Sequence, residues 1–133
     1  MNSELMYQEI ILDYYRNPKN KGVIEQPHVS CRDSNPLCGD IIEVHLALDS
    51  QGIITSARFN GNGCVISQAA TSMLLEHIAG KKIGEIPNVK KEHVLELLSV
   101  PISFVRLKCA LLGLKVLKQG AYTYLGGVGE DVK

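Results

Sequence analysis

Cysteine is the residue type in this chain best suited to chemistry, because its thiolate binds soft metal ions and attacks sulfur. The 133 residues contain four cysteines, at positions 31, 38, 64 and 109. Wide stretches of sequence separate them, and no C-x-x-C pair is present. Zinc-finger and thioredoxin-like interpretations depend on such pairs and are therefore excluded. Any site that these thiols share has to be assembled by the fold.

Glycine accompanies two of these thiols. Gly39 follows Cys38, and Gly63 precedes Cys64. A glycine leaves the backbone uncovered beside the sulfur, so that a bulky ligand can approach closely. Cys64 also opens a predicted helix, where exposed N–H groups and the helix dipole favour the thiolate. Both cysteines are therefore predicted to be functional.

Charged residues suggest how the remaining members of a site would act. Arg106 and Lys108 precede Cys109 near the start of the last predicted helix and would favour its thiolate. Asp40 follows Cys38 by two positions and would point to the same side of an extended backbone. One carboxylate beside three thiolates is a mixed donor set that suits zinc or iron. We expect the oxygen ligand to leave more easily than a thiolate, as a site that releases its cargo requires.

Packing is the alternative role for several of these residues, because free cysteines often serve as small buried hydrophobes. Cys31 lies in a predicted strand and is interpreted as a packing residue. Cys109 is surrounded by leucines, and composition alone leaves its role open. The histidines are interpreted as surface or packing residues; they are His28, His45, His77 and His93.

Hydrophobic periodicity predicts a single α+β domain over residues 1–133, in which helices pack on one face of a small antiparallel sheet of about three strands. The predicted strands cover residues 29–33, 41–48 and 53–59, and the predicted helices cover residues 5–16, 64–80, 94–98 and 104–118. Ser3 is the expected N-cap of the first helix. A glycine-rich tail from about residue 125 is expected to be mobile.

Composition limits the classes of partner. Fourteen basic and fourteen acidic residues give a formal net charge of zero, which argues against a broad electrostatic contact with nucleic acid or with an anionic membrane. No apolar run approaches the ~20 residues that span a bilayer, and the first residues do not resemble a secretory signal. We therefore expect a cytoplasmic protein with reduced thiols.

Three stretches of sequence and the first predicted helix form a specific combination. The stretches read Asn-Pro-Leu-Cys-Gly-Asp at 35–40, Gly-Asn-Gly-Cys-Val-Ile-Ser-Gln-Ala at 61–69 and Val-Arg-Leu-Lys-Cys at 105–109. From residue 7 to about residue 117, the chain closely resembles the IscU/NifU/SufU family of iron–sulfur scaffold proteins, with every motif in family order.

The resemblance implies a small α+β domain that accepts persulfide sulfur from a cysteine desulfurase. It also implies assembly of a [2Fe–2S] cluster, or binding of zinc, and delivery of cluster or sulfur to recipient apo-proteins or cluster carriers. Carried over position by position, the implied ligands are Cys38, Asp40, Cys64 and Cys109. Cys38 and Cys109 are the candidate persulfide acceptors. The residues expected to surround the ligands are Gly39, Gly63, Arg106 and Lys108.

Two branches of the family differ in sequence, and this chain combines their features. Segments 64–69 and 106–110 look like SufU, whereas the short stretch between the second and third ligand cysteines looks like IscU. The Leu-Pro-Pro-Val-Lys segment by which many IscU proteins bind a specialised heat-shock chaperone is replaced by residues 102–106. This replacement argues against dependence on that chaperone. The IscU-type interpretation is a carrier and not an enzyme, while the SufU-type interpretation is a zinc-dependent sulfurtransferase.

Lys108 stands where IscU-type members have a histidine. A neutral imidazole can ligate a metal ion, but a lysine ammonium cannot. Three roles are open to this lysine: an ion pair with Asp40, stabilisation of the Cys109 thiolate, or a solvated surface position.

Overall fold

The computed structural model describes residues 3–36 and 39–126. Its elements in chain order are α1 (Ser3–Arg16), β1 (Val29–Asn35), β2 (Asp40–Leu48), β3 (Ile54–Asn62), α2 (Val65–Ile78), a 3-10 helix (Ile83–Asn88), α3 (Lys91–Leu98) and α4 (Phe104–Tyr124). The strands form one antiparallel sheet in the order β1-β2-β3, and α2 and α4 pack against it. The predicted α+β class with its three-stranded sheet is confirmed.

The sheet brings together strand ends that are distant along the chain. Asn35, which ends β1, lies opposite Asp40, which opens β2. At the same end of the sheet, Ile41 lies opposite Asn62, which ends β3. From Asn62 the chain passes through Gly63 to Cys64 and enters α2. The start of β2 and the start of α2 are therefore neighbours.

Burial of apolar side chains keeps α2 at the centre of the domain. This helix contacts β3 and the helices α1, α3 and α4. Leu74, Leu75 and Ile78 of α2 are at most 1% exposed. Each buried side chain of this size stabilises the fold by roughly 1.5–3 kcal/mol. Because α2 is covered on several sides, the position of its first turn is set by the whole core.

Helix α4 is longer than predicted. The sequence prediction ended it before Gly120, but the helix continues to Tyr124. Gly120 is buried where α4 meets β1, and a Cβ atom at this position would lie 2.8 Å from Val29 Cγ1. The glycine therefore permits a close contact between helix and strand instead of ending the helix. Packing outweighs its unfavourable helix propensity of about 1 kcal/mol.

Several other boundaries also differ from the predictions. Ser3 lies inside α1 and not ahead of it, and the 3-10 helix Ile83–Asn88 was not predicted. The predicted mobile tail falls mostly on residues 127–133, which lie outside the described part of the chain. None of the helices within residues 3–36 and 39–126 is long and apolar enough to span a bilayer.

Tyr14 attaches α1 to the central helix. Its hydroxyl donates a hydrogen bond to Glu76 of α2, and Lys19 Nζ lies 5.8 Å from the centre of its ring. The hydrogen bond to Glu76, followed by burial and by the charge of the carboxylate, raises the pKa of Tyr14 from 10.0 to about 12. Ionisation of the phenol would remove the donated proton and with it this connection.

We expect the Tyr14–Glu76 contact to stabilise the protein fully below pH 10 and to be lost as the pH rises through about 12. The folded state holds the phenol proton more tightly than the unfolded chain, which gives this sign. Near neutral pH, Tyr14→Phe should lower the free energy of unfolding by roughly 1 kcal/mol. Thermal unfolding of both proteins over the alkaline range measures the difference in stability, which should vanish as the pH rises through about 12. A difference that stays constant with pH would contradict this role.

Candidate metal centre

Three side chains with ligand atoms meet at the end of the sheet. Asp40 opens β2, Cys64 immediately precedes α2, and Cys109 lies in the second turn of α4. A carboxylate oxygen of Asp40 and the two Sγ atoms all lie within 4.8 Å of one another. The fold thus brings together three of the four residues that the resemblance implied as ligands. The fourth, Cys38, lies outside the described residues.

The carboxylate of Asp40 is held in a fixed orientation. Its Oδ1 atom accepts a hydrogen bond of 3.1 Å from the backbone N–H of Cys64, and its Oδ2 atom lies 3.8 Å from Cys64 Sγ. Asp40 is only 1% exposed, so water does not compete for these contacts. One oxygen atom is therefore engaged by the backbone, while the other faces the thiol.

The spacing of these atoms fits a tetrahedral ion. With a metal–sulfur bond of about 2.3 Å and a metal–oxygen bond of about 2.0–2.2 Å, a sulfur and an oxygen ligand lie about 3.5 Å apart. The 3.8 Å between Asp40 Oδ2 and Cys64 Sγ is close to this value. Two thiols and one carboxylate are a donor set that zinc and iron both accept.

Gly63 allows the backbone to pass close to this carboxylate. A Cβ atom at position 63 would lie 3.0 Å from Asp40 Oδ1 and would overlap the hydroxyl of Ser67. Gly63 was expected to leave room for a ligand, whereas the nearest neighbours of a Cβ atom there are protein side chains. Gly39 has a φ of +73° and donates its N–H to the carbonyl oxygen of Asn35 at 2.8 Å. Glycine suits that position because the turn requires a left-handed backbone.

Cys64 occupies the N-cap position of α2. Its thiol is half-buried and makes no capping hydrogen bond to the first turn of the helix. Cys109, in contrast, is 1% exposed and lies inside α4, whose first turn is capped by Ser103 accepting the N–H of Arg106 at 3.3 Å.

Lys108 and Arg106 both lie on the surface. Within the described ranges, the side chain of Lys108 makes no ion pair or hydrogen bond, and the carboxylate of Asp40 instead accepts the backbone N–H of Cys64. The ion pair between Lys108 and Asp40, one of the three roles considered for this lysine, is therefore not formed. Lys108 borders a cleft of about 350 Å³ that also contacts Leu111 and Lys115.

Cys31 lies away from the three ligand-type residues. It is half-buried in β1 opposite Val44, and its Sγ donates to Gln119 Oε1 at 3.6 Å. Burial raises the pKa of its thiol, which makes Cys31 a poor nucleophile. Three histidines accept backbone N–H groups through Nδ1: His28 from Leu48 and His45 from Ile24, both at 3.0 Å, and His93 from Lys90 at 2.9 Å.

Ser67 was not predicted from the sequence as a site residue, but it contacts the backbone of Cys64. Its side chain is fully buried, and its hydroxyl donates to the carbonyl oxygen of Cys64 at 3.2 Å. A serine three residues after a helix start could have suggested such a bond, because short hydroxyl side chains bond to nearby backbone groups at helix ends.

The fold and the site together define a class of protein: a small α+β domain that holds thiol and carboxylate ligands between the end of a sheet and two helices. The family model of the NifU-like N-terminal domain matches residues 6–131, and the chain belongs to this family. The predicted family relationship is thereby confirmed.

Relatives named SufU and relatives named IscU are both similar to this chain. It is 34% identical to the zinc-dependent sulfurtransferase SufU of Bacillus subtilis, covering 95% of this chain and 96% of the relative. It is 33% identical to the iron–sulfur cluster assembly scaffold protein IscU of Thermotoga maritima, covering 87% and 92%. A crystal structure described as an iron–sulfur cluster assembly scaffold protein for the SUF system, from Fervidobacterium islandicum, has a TM-score of 0.74 at 29% identity, covering 90% and 99%.

Proposed function

We propose that this protein accepts sulfur from a cysteine desulfurase, assembles a [2Fe–2S] cluster on Cys38, Asp40, Cys64 and Cys109, and passes the cluster to recipient proteins. The observation that carries the proposal is the meeting of Asp40, Cys64 and Cys109 within 4.8 Å in a member of the NifU-like family. Relatives named as assembly scaffolds support it. The reduced thiols that this chemistry needs suit the expected cytoplasmic setting.

Sulfur would enter the site through a thiolate of this chain. The acceptor thiolate attacks the terminal sulfur of the desulfurase persulfide, a new S–S bond forms, and the desulfurase cysteine leaves as a thiolate. Cys109 is 1% exposed, so a persulfide on another protein reaches it only after local opening of the site. This burial favours Cys38 over Cys109 as the first acceptor.

The second candidate function is that of a zinc-bound sulfur acceptor, a transferase in place of a carrier. The 34% identity to the B. subtilis zinc-dependent sulfurtransferase favours it, as does Lys108, which cannot serve as a fifth donor. In that case zinc would be held by the same four residues, where it would keep the bound sulfurs as thiolates. Asp40 would orient the site through its hydrogen bond to the N–H of Cys64.

Anaerobic reconstitution with ferrous iron, a cysteine desulfurase, free cysteine and a thiol reductant, which reduces persulfide sulfur to sulfide, distinguishes the two functions. The scaffold function predicts a visible cluster chromophore bound to the chain, transferable to an apo-ferredoxin-type acceptor. The zinc-bound acceptor function predicts zinc in protein purified without added metal, and faster desulfurase turnover without a chromophore. Absence of both chromophore and stimulation would contradict the proposal altogether.

We expect Asp40→Ala to lengthen the life of a bound cluster several-fold, because the variant lacks the oxygen ligand that leaves most easily. Asp40→Asn is the matched control, since its amide oxygen can still accept the N–H of Cys64, which Asp40 Oδ1 accepts at 3.1 Å. If the charged ligand controls release, both variants should hold the cluster longer than the wild type. Decay of the visible absorption in air-free chelator solution measures the lifetime. Faster decay in both variants would rule out this role for Asp40.

A further inference from the structure

Helices α2 and α4 are in close contact where Gly113 of α4 faces Thr71 of α2. A Cβ atom at position 113 would overlap Thr71 Oγ1 and would lie 3.0 Å from Thr71 Cβ and 3.1 Å from Thr71 Cγ2. Ordinary carbon–carbon contacts lie at about 3.5–4.0 Å. Both residues are buried in the core. The helices can therefore lie this close only because residue 113 has no side chain.

This contact lies one to two helical turns from the cysteines of the candidate metal centre. Gly113 follows Cys109 by one helical turn, and Thr71 follows Cys64 by two. Cys109 and Gly113 are four positions apart and share a face of α4, and Cys64 is the N-cap of α2, the helix that carries Thr71. At a rise of about 1.5 Å per residue, the contact is roughly 6 Å along α4 from Cys109 and roughly 10 Å along α2 from Cys64.

Hydrogen bonds connect Thr71 to Cys64 along α2. Thr71 Oγ1 donates to the carbonyl oxygen of Ser67 at 2.7 Å, and Ser67 Oγ donates to the carbonyl oxygen of Cys64 at 3.2 Å. Thr71 is only 1% exposed, so its side chain cannot turn into solvent to make room. A methyl group at position 113 would therefore displace α4 from α2, and with it Cys109 from Cys64.

We propose that Gly113 is a positioning residue that sets the separation of the Cys64 and Cys109 sulfurs to the span of one metal ion. This inference rests on the zinc-bound form of the proposed function, in which one ion is held by Asp40, Cys64 and Cys109 together. A displacement of about 1 Å restores ordinary contact with Thr71 Oγ1, whereas metal–ligand distances tolerate about 0.2 Å. The displacement that relieves the overlap between the helices therefore exceeds the change in ligand distance that the metal centre tolerates.

The test measures zinc affinity by competition with a chromophoric chelator, together with the spectrum of the cobalt(II)-substituted protein. Gly113→Ala should bind zinc 10–100-fold more weakly, the loss typical of removing residues that orient ligands, and should show altered cobalt–thiolate absorption. Gly120→Ala is the matched control: it adds the same methyl group to the same helix, 2.8 Å from Val29 Cγ1 and 3.3 Å from Cys31 Cβ, roughly 16 Å along α4 from Cys109. It should cost stability but leave zinc affinity and the cobalt spectrum unchanged.

The double variant Gly113→Ala/Thr71→Gly restores the space from the opposite helix and should recover wild-type zinc affinity. If Gly113→Ala alone is unfolded by circular dichroism, this double variant decides: recovery supports the inference, and weak binding contradicts it. A folded Gly113→Ala protein with wild-type affinity would overturn the inference, as would an equal loss in Gly120→Ala. Failure of the wild-type protein to bind zinc, cobalt or iron would overturn the proposed function instead.

Discussion

Replacing Cys109 with serine should weaken zinc binding by more than about a hundredfold, since loss of residues that merely orient ligands already costs 10–100-fold. Cys109 is 1% exposed and shares a 4.8 Å group with Asp40 and Cys64. A serine hydroxyl stays protonated at neutral pH and is a poor ligand for zinc or iron compared with a thiolate. The substitution therefore removes one of the sulfur ligands that the resemblance implied.

Cys31→Ser provides the control for this experiment. It makes the same atomic change at a half-buried thiol outside the ligand group, where Sγ contacts Gln119 Oε1. Chelator competition should give this variant the zinc affinity of the wild type, and thermal unfolding of the metal-free proteins should show that both variants fold. Equal affinities for wild type and Cys109→Ser, or an equal loss in Cys31→Ser, would disprove the assignment of Cys109 as a ligand.

Replacing Cys38 with serine should abolish the stimulation of a cysteine desulfurase by this chain. A desulfurase that keeps its persulfide cannot begin another cycle, and only a thiolate can take that sulfur by exchange. The burial of Cys109 leaves Cys38 as the favoured acceptor. Turnover is measured as alanine release from cysteine, with and without the chain. With Cys38→Ser, the rate should fall to that of the desulfurase alone.

The persulfidated position can also be identified directly. Alkylation and peptide mapping after a short desulfurase reaction should find the added sulfur on Cys38 in the wild type and on none of the other thiols in Cys38→Ser. Cys31→Ser should stimulate turnover as the wild type does. Sulfur found first on Cys109, with stimulation retained in Cys38→Ser, would transfer the acceptor role to Cys109.

Local sequence was sufficient to predict most elements of this fold. Alternating apolar residues predicted β2, which runs from Asp40 to Leu48, because side-chain alternation needs only a sheet with one buried face. The helical period after Cys64 predicted α2 (Val65–Ile78) for the same kind of reason. Gly120 misled the prediction of α4, because a glycine that ends a helix and a glycine that permits close packing look alike in sequence.

The sequence likewise predicted the residues of the candidate site but not the contacts between them. Residue types and their immediate neighbours singled out Cys38, Cys64 and Asp40, and family resemblance added Cys109, whose role composition had left open. The sequence could not indicate that Asp40 accepts a hydrogen bond from the N–H of Cys64, or that the side chain of Lys108 makes no ion pair with Asp40. Those contacts depend on distances between elements that sequence spacing does not contain.

The sequence by itself determined the chemistry available to this protein: thiols without a C-x-x-C pair, one nearby carboxylate and the family to which the chain belongs. Only the tertiary structure decided that Asp40, Cys64 and Cys109 meet within 4.8 Å. The physical reason is that their separation depends on the register of β2 with β3 and on the close contact of α2 with α4 at Gly113. Both are results of packing between distant segments, where a displacement of a few tenths of an ångström decides whether one ion can bind all three.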